Sequence, residues 1–380
     1  MCPLKNKGVA VEKPKRGGMD ITFFVLTVTL LGIGLIMLFS ASYAYALHYY
    51  DDSFHFIKSQ LVFAVIGLAG MIIVSYFDYH WLHKLALPLY GLSLVLLVLA
   101  LFSKPVNDAH RWIWIAGRQF QPSELAKFAI ILMFAHMISL NASEMGTFKK
   151  GVLPFAIFLV PVVGLIAIEP HLSGTILVVL MAFVMMFIGG TKFRWFALAG
   201  GTVGGAGAAY ILFSGKVDYA MSRIKIWLDP FSDPSDKGHQ TLQSLYAIGS
   251  GGLLGQGLGN SRQKYLYVPE PQNDFIFSIV CEELGFIGAS LIIIIFALFV
   301  WRGFVIAMRA RDKFGSMLVL GLSSQIGIQA ILNIGVVTNT IPNTGISLPF
   351  FSSGGSSLVM LLLQMGVILS VSRYSVYEKT

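Results

Sequence analysis

Apolar stretches long enough to cross a bilayer recur along nearly the whole chain, separated by short polar connections. Runs of about 18 or more apolar residues match the thickness of the hydrocarbon layer. They predict ten spans, near residues 20–42, 57–77, 82–103, 122–140, 152–168, 171–189, 193–213, 274–301, 314–337 and 348–372. A transmembrane barrel would alternate polar and apolar residues, and these runs do not. The pattern therefore predicts an all-α polytopic membrane protein. Its single membrane domain covers 19–375, with a disordered basic tail at 1–18 and a short tail at 376–380. An even number of spans leaves both ends on one side.

Composition agrees: 56% of the 380 residues are hydrophobic and only 12% are charged, roughly half the charge of a soluble domain. Lys and Arg then orient the spans, because cytoplasmic segments are enriched in them. With the N-terminus inside, sixteen of the 27 Lys and Arg fall on the cytoplasmic side and ten outside. This predicts N-in and C-in. The net charge of +8 is explained by that orientation. Nucleic-acid binding would need a clustered basic face, and none is visible. The first apolar run is too long for a cleavable signal peptide. Cys2 and Cys281, one in a polar tail and one in a span, are not read as a disulfide.

The outer cations concentrate in two loops. The first runs from Lys104 to the start of the fourth span and carries Trp112 and Trp114, which predict a short interfacial piece. Gln121-Pro-Ser-Glu124 then opens a helix, with Pro and Glu suited to its first turn. Glu124 and Lys127 share a face inside an apolar span, so they form either a structural ion pair or a charged lining for a polar cavity. Residues 168–175 predict a tight outer turn, in which Glu169 and His171 lack metal-ligand spacing. The second loop, 214–273, lies between spans seven and eight. It predicts an amphipathic helix ending at Pro230, a helix over Gln240–Leu245 and a glycine-rich run from Gly249. Loops this long are uncommon unless they have a function.

That loop ends in Tyr265-Leu-Tyr-Val-Pro-Glu-Pro-Gln-Asn-Asp274, immediately before a long apolar helix. A carboxylate at the mouth of a span is costly unless it faces water, protein or a ligand. Asp274 is therefore the candidate reactive group, with helix N-capping as its alternative role. Glu282 and Glu283 lie deeper in the same span and predict a partner within the bundle. Near the C-terminus, Pro342, Gly345 and Pro349 break helix before Ser352-Ser-Gly-Gly-Ser-Ser357. Broken backbone at membrane depth is tolerated beside protein or a watery cavity, which predicts that this turn faces the same groove as Asp274.

Together these motifs resemble the shape, elongation, division and sporulation family, whose members include RodA, FtsW and SpoVE. The matching pieces are Gln121-Pro-Ser-Glu-Leu-Ala-Lys127, Arg223 with Leu228-Asp-Pro230, Gln243-Ser244, Ala247-Ile-Gly-Ser-Gly-Gly-Leu253, Pro269-Glu-Pro-Gln-Asn-Asp-Phe-Ile-Phe277, Glu282-Glu-Leu-Gly285, Asn333-Ile-Gly335, Leu348-Pro-Phe350 and Ser353-Gly-Gly-Ser356. Residues 265–277 and 371–374 are closest to the FtsW/SpoVE branch. His171 departs from the Asp that many members carry after the proline.

The resemblance implies a multi-pass plasma-membrane glycosyltransferase that joins lipid II units into β-1,4 glycan at the outer face, in division, elongation or sporulation. It implies lipid II and the growing undecaprenyl-pyrophosphate-linked glycan as ligands. A class B penicillin-binding protein and other divisome or elongasome membrane proteins are the implied partners. Inversion of the sugar carbon needs one base on the incoming hydroxyl, and Asp274 is the candidate. Arg223, Arg262, Lys264 and Lys127, with Arg111 and Arg118, are candidate cations for the leaving pyrophosphate. Trp112, Glu124, Gln243, Glu270, Ser352, Ser353 and Ser356 complete the expected substrate-binding set. A divalent cation, Mg or Mn, bridging phosphate oxygens suits the same chemistry, with no organic cofactor. A lipid flippase and a non-catalytic division scaffold are the alternatives.

Overall fold

The computed structural model describes residues 17–104, 110–115, 117–169, 172–201, 227–232 and 238–375. The side chains of Ile115, Arg118 and Leu172 are also outside the described set. Helices α1 (Ile21–Tyr50), α2 (His55–Tyr76) and α3 (His80–Leu101) follow the first three apolar runs. A hairpin of β1 (Ile113–Ile115) and β2 (Arg118–Phe120) leads into α4 (Pro122–Asn141). Next come the single turn α5 (Phe148–Gly151), α6 (Leu153–Ile168) and α7 (Leu172–Gly189), and residues 193–201 are also helical. Helix α8 (His239–Gly251) lies within the long loop. It is followed by α9 (Ile276–Met308), α10 (Lys313–Val337) and α11 (Gly355–Arg373).

Eight of the described helical segments are long and apolar enough to cross a membrane, and Ser173–Gly189 is a shorter apolar helix. The predicted span at 193–213 lies partly outside the described residues, as does most of the helix expected before Pro230. The all-α reading stands, with the small β1–β2 hairpin in place of an undefined interfacial piece. Three boundaries differ. Helix α1 runs on to Tyr50, α9 extends to Met308, and the last helix begins at Gly355, not near residue 348.

Burial sorts the helices. Helices α4, α10 and α11 are mostly enclosed by the others, whereas α2, α3 and α6 turn much of their surface outward. Outward-facing Val65 and Ile73 on α2 and Val160 on α6 are what a lipid-facing surface requires. The enclosed helices carry the polar residues: Glu124 and Lys127 on α4, Gln325 and Gln329 on α10.

The first and last described segments meet at one end of the bundle. The Gly17 amide donates to the Arg373 carbonyl at 2.8 Å. Asp20 accepts from the Phe23 amide at 2.9 Å, capping α1, and pairs with Arg302 of α9 at 2.6 Å. Asp274, at the opposite end of α9, lies far from this closure.

Helix α9 is broken at Gly285, which has φ 67°. Loop backbone fills the break: the Gln256 and Gly257 amides donate to the Glu282 and Glu283 carbonyls, and the Phe286 amide donates to Gly252. Backbone groups freed inside a membrane bundle need such partners. A Cβ on Gly285 would come within 2.2 Å of the Gly255 nitrogen, so this crossing admits only glycine.

Candidate active site

At the end of the bundle away from the termini lies a part-open polar cavity of about 260 Å³. Its walls are the first turns of three helices. Gln121, Glu124 and Lys127 come from α4, Ser173, Gly174 and Leu177 from α7, and Gly354, Ser357, Leu358 and Leu361 from α11 and its approach. Helix N-termini carry partial positive charge and unpaired amides, so their convergence suits an anionic ligand.

Two irregular segments close the cavity. One carries Glu270, Asn273 and Asp274; the other runs from Gly345 through Ser353. They are stapled together: the Ser352 hydroxyl donates to the Asn273 carbonyl at 2.7 Å, and the Ser353 amide donates to the Gln272 carbonyl at 2.8 Å. The Asn333 side-chain nitrogen on α10 donates to the Asp274 carbonyl at 2.7 Å and to the Ile346 carbonyl at 2.6 Å, holding both segments at once. Gly345 has φ 69°, and a Cβ there would lie 3.2 Å from Asp274 Oδ2.

Asp274 reaches the cavity and is otherwise enclosed by protein. Burial pushes its carboxyl up to about 6, the Glu270 charge adds to the rise, and Arg111 pulls against it. Arg111 lines the same cavity, and its Nε donates to the Glu169 carbonyl at 3.3 Å. Burial lowers the Arg111 guanidinium, while Asp274 and Glu169 hold it up. Glu169 is fully buried, and among the described residues both its carboxylate oxygens lack a hydrogen-bond partner. Burial pushes it up to about 8, with Arg111 pulling it down. On α4, Lys127 Nζ lies 2.8 Å from Glu124 Oε1. This pair is both a buried ion pair and part of the cavity lining.

Of the residues named from sequence, Asp274, Trp112, Glu124, Lys127, Glu270, Ser352 and Ser353 line this cavity. Arg223 and the Arg118 side chain lie outside the described residues, as does His171. Four other named residues lie away from this lining. Lys264 is not at the cavity: its ammonium is buried 3.0 Å from Glu283 Oε1, 2.6 Å from the Gly259 carbonyl and 3.3 Å from Ser40 Oγ, so its charge is already taken. Arg262 has an exposed side chain away from the lining, and its amide donates to Glu282 at 2.9 Å. Gln243 on α8 and Ser356 on α11 do not line the cavity either; the Ser356 hydroxyl is buried without a partner. The N-cap of α9 is Phe275, with no side-chain cap, so Asp274 does not serve as one.

Sequence reading left out Gln325, Gln329, Asn273, Ser173 and Ser347, all of which line the cavity. Two amides one turn apart in an otherwise apolar span were the available signal for Gln325 and Gln329.

A helical bundle with lipid-facing flanks and a buried acid-and-cation cavity at one end defines the class, a polytopic membrane protein with an embedded polar site. The chain belongs to the FtsW, RodA and SpoVE family of cell cycle proteins, whose family model matches residues 21–377. It is 42% identical to the stage V sporulation protein E of Bacillus subtilis over 372 residues, 96% of this chain and 99% of that one. It is 38% identical to a probable peptidoglycan glycosyltransferase FtsW of Geobacter sp. (strain M18), covering 93% and 97%. Among solved structures, it matches a chain from a study of how a peptidoglycan synthase complex coordinates polymerization and crosslinking. The TM-score is 0.77 at 29% identity, covering 93% and 98%. The rod shape determining protein RodA of Thermus thermophilus matches with TM-score 0.68 at 27% identity, covering 95% and 98%.

Proposed function

We propose that the protein is an inverting peptidoglycan glycosyltransferase that polymerises lipid II at the outer face of the bacterial plasma membrane. The observation that carries this reading is the placement of Asp274 in a cation-bearing cavity where three helix N-termini meet. Family membership and the names of the relatives support it.

In this reading the Asp274 carboxylate accepts the proton of the acceptor's GlcNAc 4-hydroxyl. The hydroxyl oxygen bonds to the donor's anomeric carbon as the bond from that carbon to the pyrophosphate oxygen breaks. The electron pair departs with undecaprenyl pyrophosphate, whose charge is offset by Arg111 and by Lys127 as held by Glu124. One displacement converts the α-linkage to β, and a good leaving group makes a second carboxylic acid unnecessary.

A divalent cation, Mg or Mn, belongs to the same proposal. Mg is commonly held by one or two carboxylates plus substrate phosphates, and Glu270 beside Asp274 offers such oxygens. When bound, it would neutralise pyrophosphate charge. Among the described residues no three acidic, histidine or cysteine groups are spaced to hold a metal alone. A class B penicillin-binding protein is the proposed partner, supported by the likeness to a synthase-complex chain, and other division or elongation membrane proteins would join it.

The test is glycan synthesis from lipid II by purified protein in detergent, with and without partner and metal. Asp274→Asn should abolish polymer while leaving expression and folding intact; normal synthesis by that variant would sink the assignment. Lipid flipping is the second reading, supported by the buried Glu124–Lys127 pair and the helix broken at Gly285. Polymer made in detergent separates the two, since flipping has no meaning without a bilayer.

A further inference from the structure

The cavity holds an amide that the mechanism above leaves unused. Gln325 lies on α10, about three turns from the helix end at Val337. It lines the cavity, is 1% exposed, and makes no side-chain hydrogen bond among the described residues; its Oε1 is buried without a partner. Gln329, one turn further on, lines the same cavity but is engaged, donating from Nε2 to the Ser347 carbonyl at 3.0 Å. A spare amide inside a membrane bundle is costly to keep desolvated. A partner arriving through the cavity removes that cost.

The orphan atom restricts what the partner can be. An amide oxygen only accepts, so the group that meets it must donate. A pyrophosphate diester has only acceptor oxygens, so it could take a bond from Nε2 but would leave Oε1 unmet. A lipid tail offers no polar group. An acetamido group offers one N–H and one carbonyl, which pair with the acceptor and donor of a primary amide in both directions. In the proposed substrate such a group sits on the carbon next to the reacting anomeric carbon. In a cavity of about 260 Å³ shared by Asp274 and Gln325, that neighbourhood matters.

We propose that Gln325 reads the acetamido group of the donor sugar and is a specificity-determining residue of the transfer. This rests on the polymerase reading above. Asp274 performs the proton transfer, and Gln325 selects the sugar that it acts on.

The test uses two donors, natural lipid II and an analogue whose donor-sugar acetamido group is replaced by an acetate ester. The ester exchanges N–H for O and removes only the donor. Wild-type protein should show kcat/KM at least about tenfold lower for the ester, since a site built to hydrogen-bond a group rejects the analogue lacking it. Gln325→Leu should lose about tenfold or more on natural lipid II and treat the two substrates alike. The ratio between substrates does not depend on how much of a preparation is active. If the leucine variant fails to fold, Gln325→Asn retracts the amide by one methylene and should reduce the discrimination. A wild type indifferent to the replacement, or a leucine variant as selective as wild type, would overturn the proposal. Wild type that polymerises neither substrate would overturn the polymerase reading and this one with it.

Discussion

The Asp274 carboxyl is pushed up to about 6 by burial and by Glu270, with Arg111 pulling it down. In its proposed role as general base, Asp274 works only when ionised. Its activity should therefore be near full above neutral pH, half lost near pH 6 and absent well below. Removing Arg111 removes the opposing influence, so Arg111→Gln should move this acidic limb toward higher pH. The pH profile of polymerisation rate for both proteins checks it; an unmoved limb would separate Arg111 from Asp274. At this scale the sequence was legible where a residue broke a local rule. Asp274 stood out as an acid opening an apolar helix. Lys264 was misread because its partners, Glu283, Ser40 and the Gly259 carbonyl, are brought together only by folding. Sequence spacing shows a cation in an outer loop and nothing of the carboxylate that consumes it.

Among the elements, apolar runs located the helices well, because bilayer thickness sets their length. They located the helix ends poorly. The start of α11 was placed too early because Leu348-Pro-Phe-Phe351 is as apolar as a helix, yet it packs as irregular backbone held by Gln329, Asn333 and Ser352. The break in α9 was also invisible: Gly285 was read as part of a motif and not as a crossing point. Its φ of 67° with ψ −171° is a conformation essentially confined to glycine, where an L-residue costs roughly 1–3 kcal/mol, before any clash with the Gly255 backbone. Gly285→Ala should therefore destabilise the protein by about 2 kcal/mol or more, seen as a lower thermal midpoint in detergent. An unchanged midpoint would show that the loop yields.

Across the whole molecule, the described C-terminal part of the long loop is part of the bundle. Its stretch from Gly251 to Lys264 is anchored to α9 by Glu282 and Glu283 and to α1 by Ser40. Removing one partner of a buried pair costs roughly 3–5 kcal/mol because the other charge is stranded, whereas neutral replacement of both is far cheaper. Lys264→Met should thus lower thermal stability sharply, and Lys264→Met with Glu283→Gln should recover most of it. Equal losses in the two proteins would assign the effect to the Lys264 stem.

Asn333 has a consequence at this same scale. One amide nitrogen grips a carbonyl from each of two strands of irregular chain, Asp274 and Ile346. Those two carbonyls are thereby gauged against one fixed post. A residue inserted beside either carbonyl would slide the Asp274 carboxyl or the facing wall out of register. These two tethers must therefore keep their count, and an insertion beside either should cost more than one at an untethered point of the same segments.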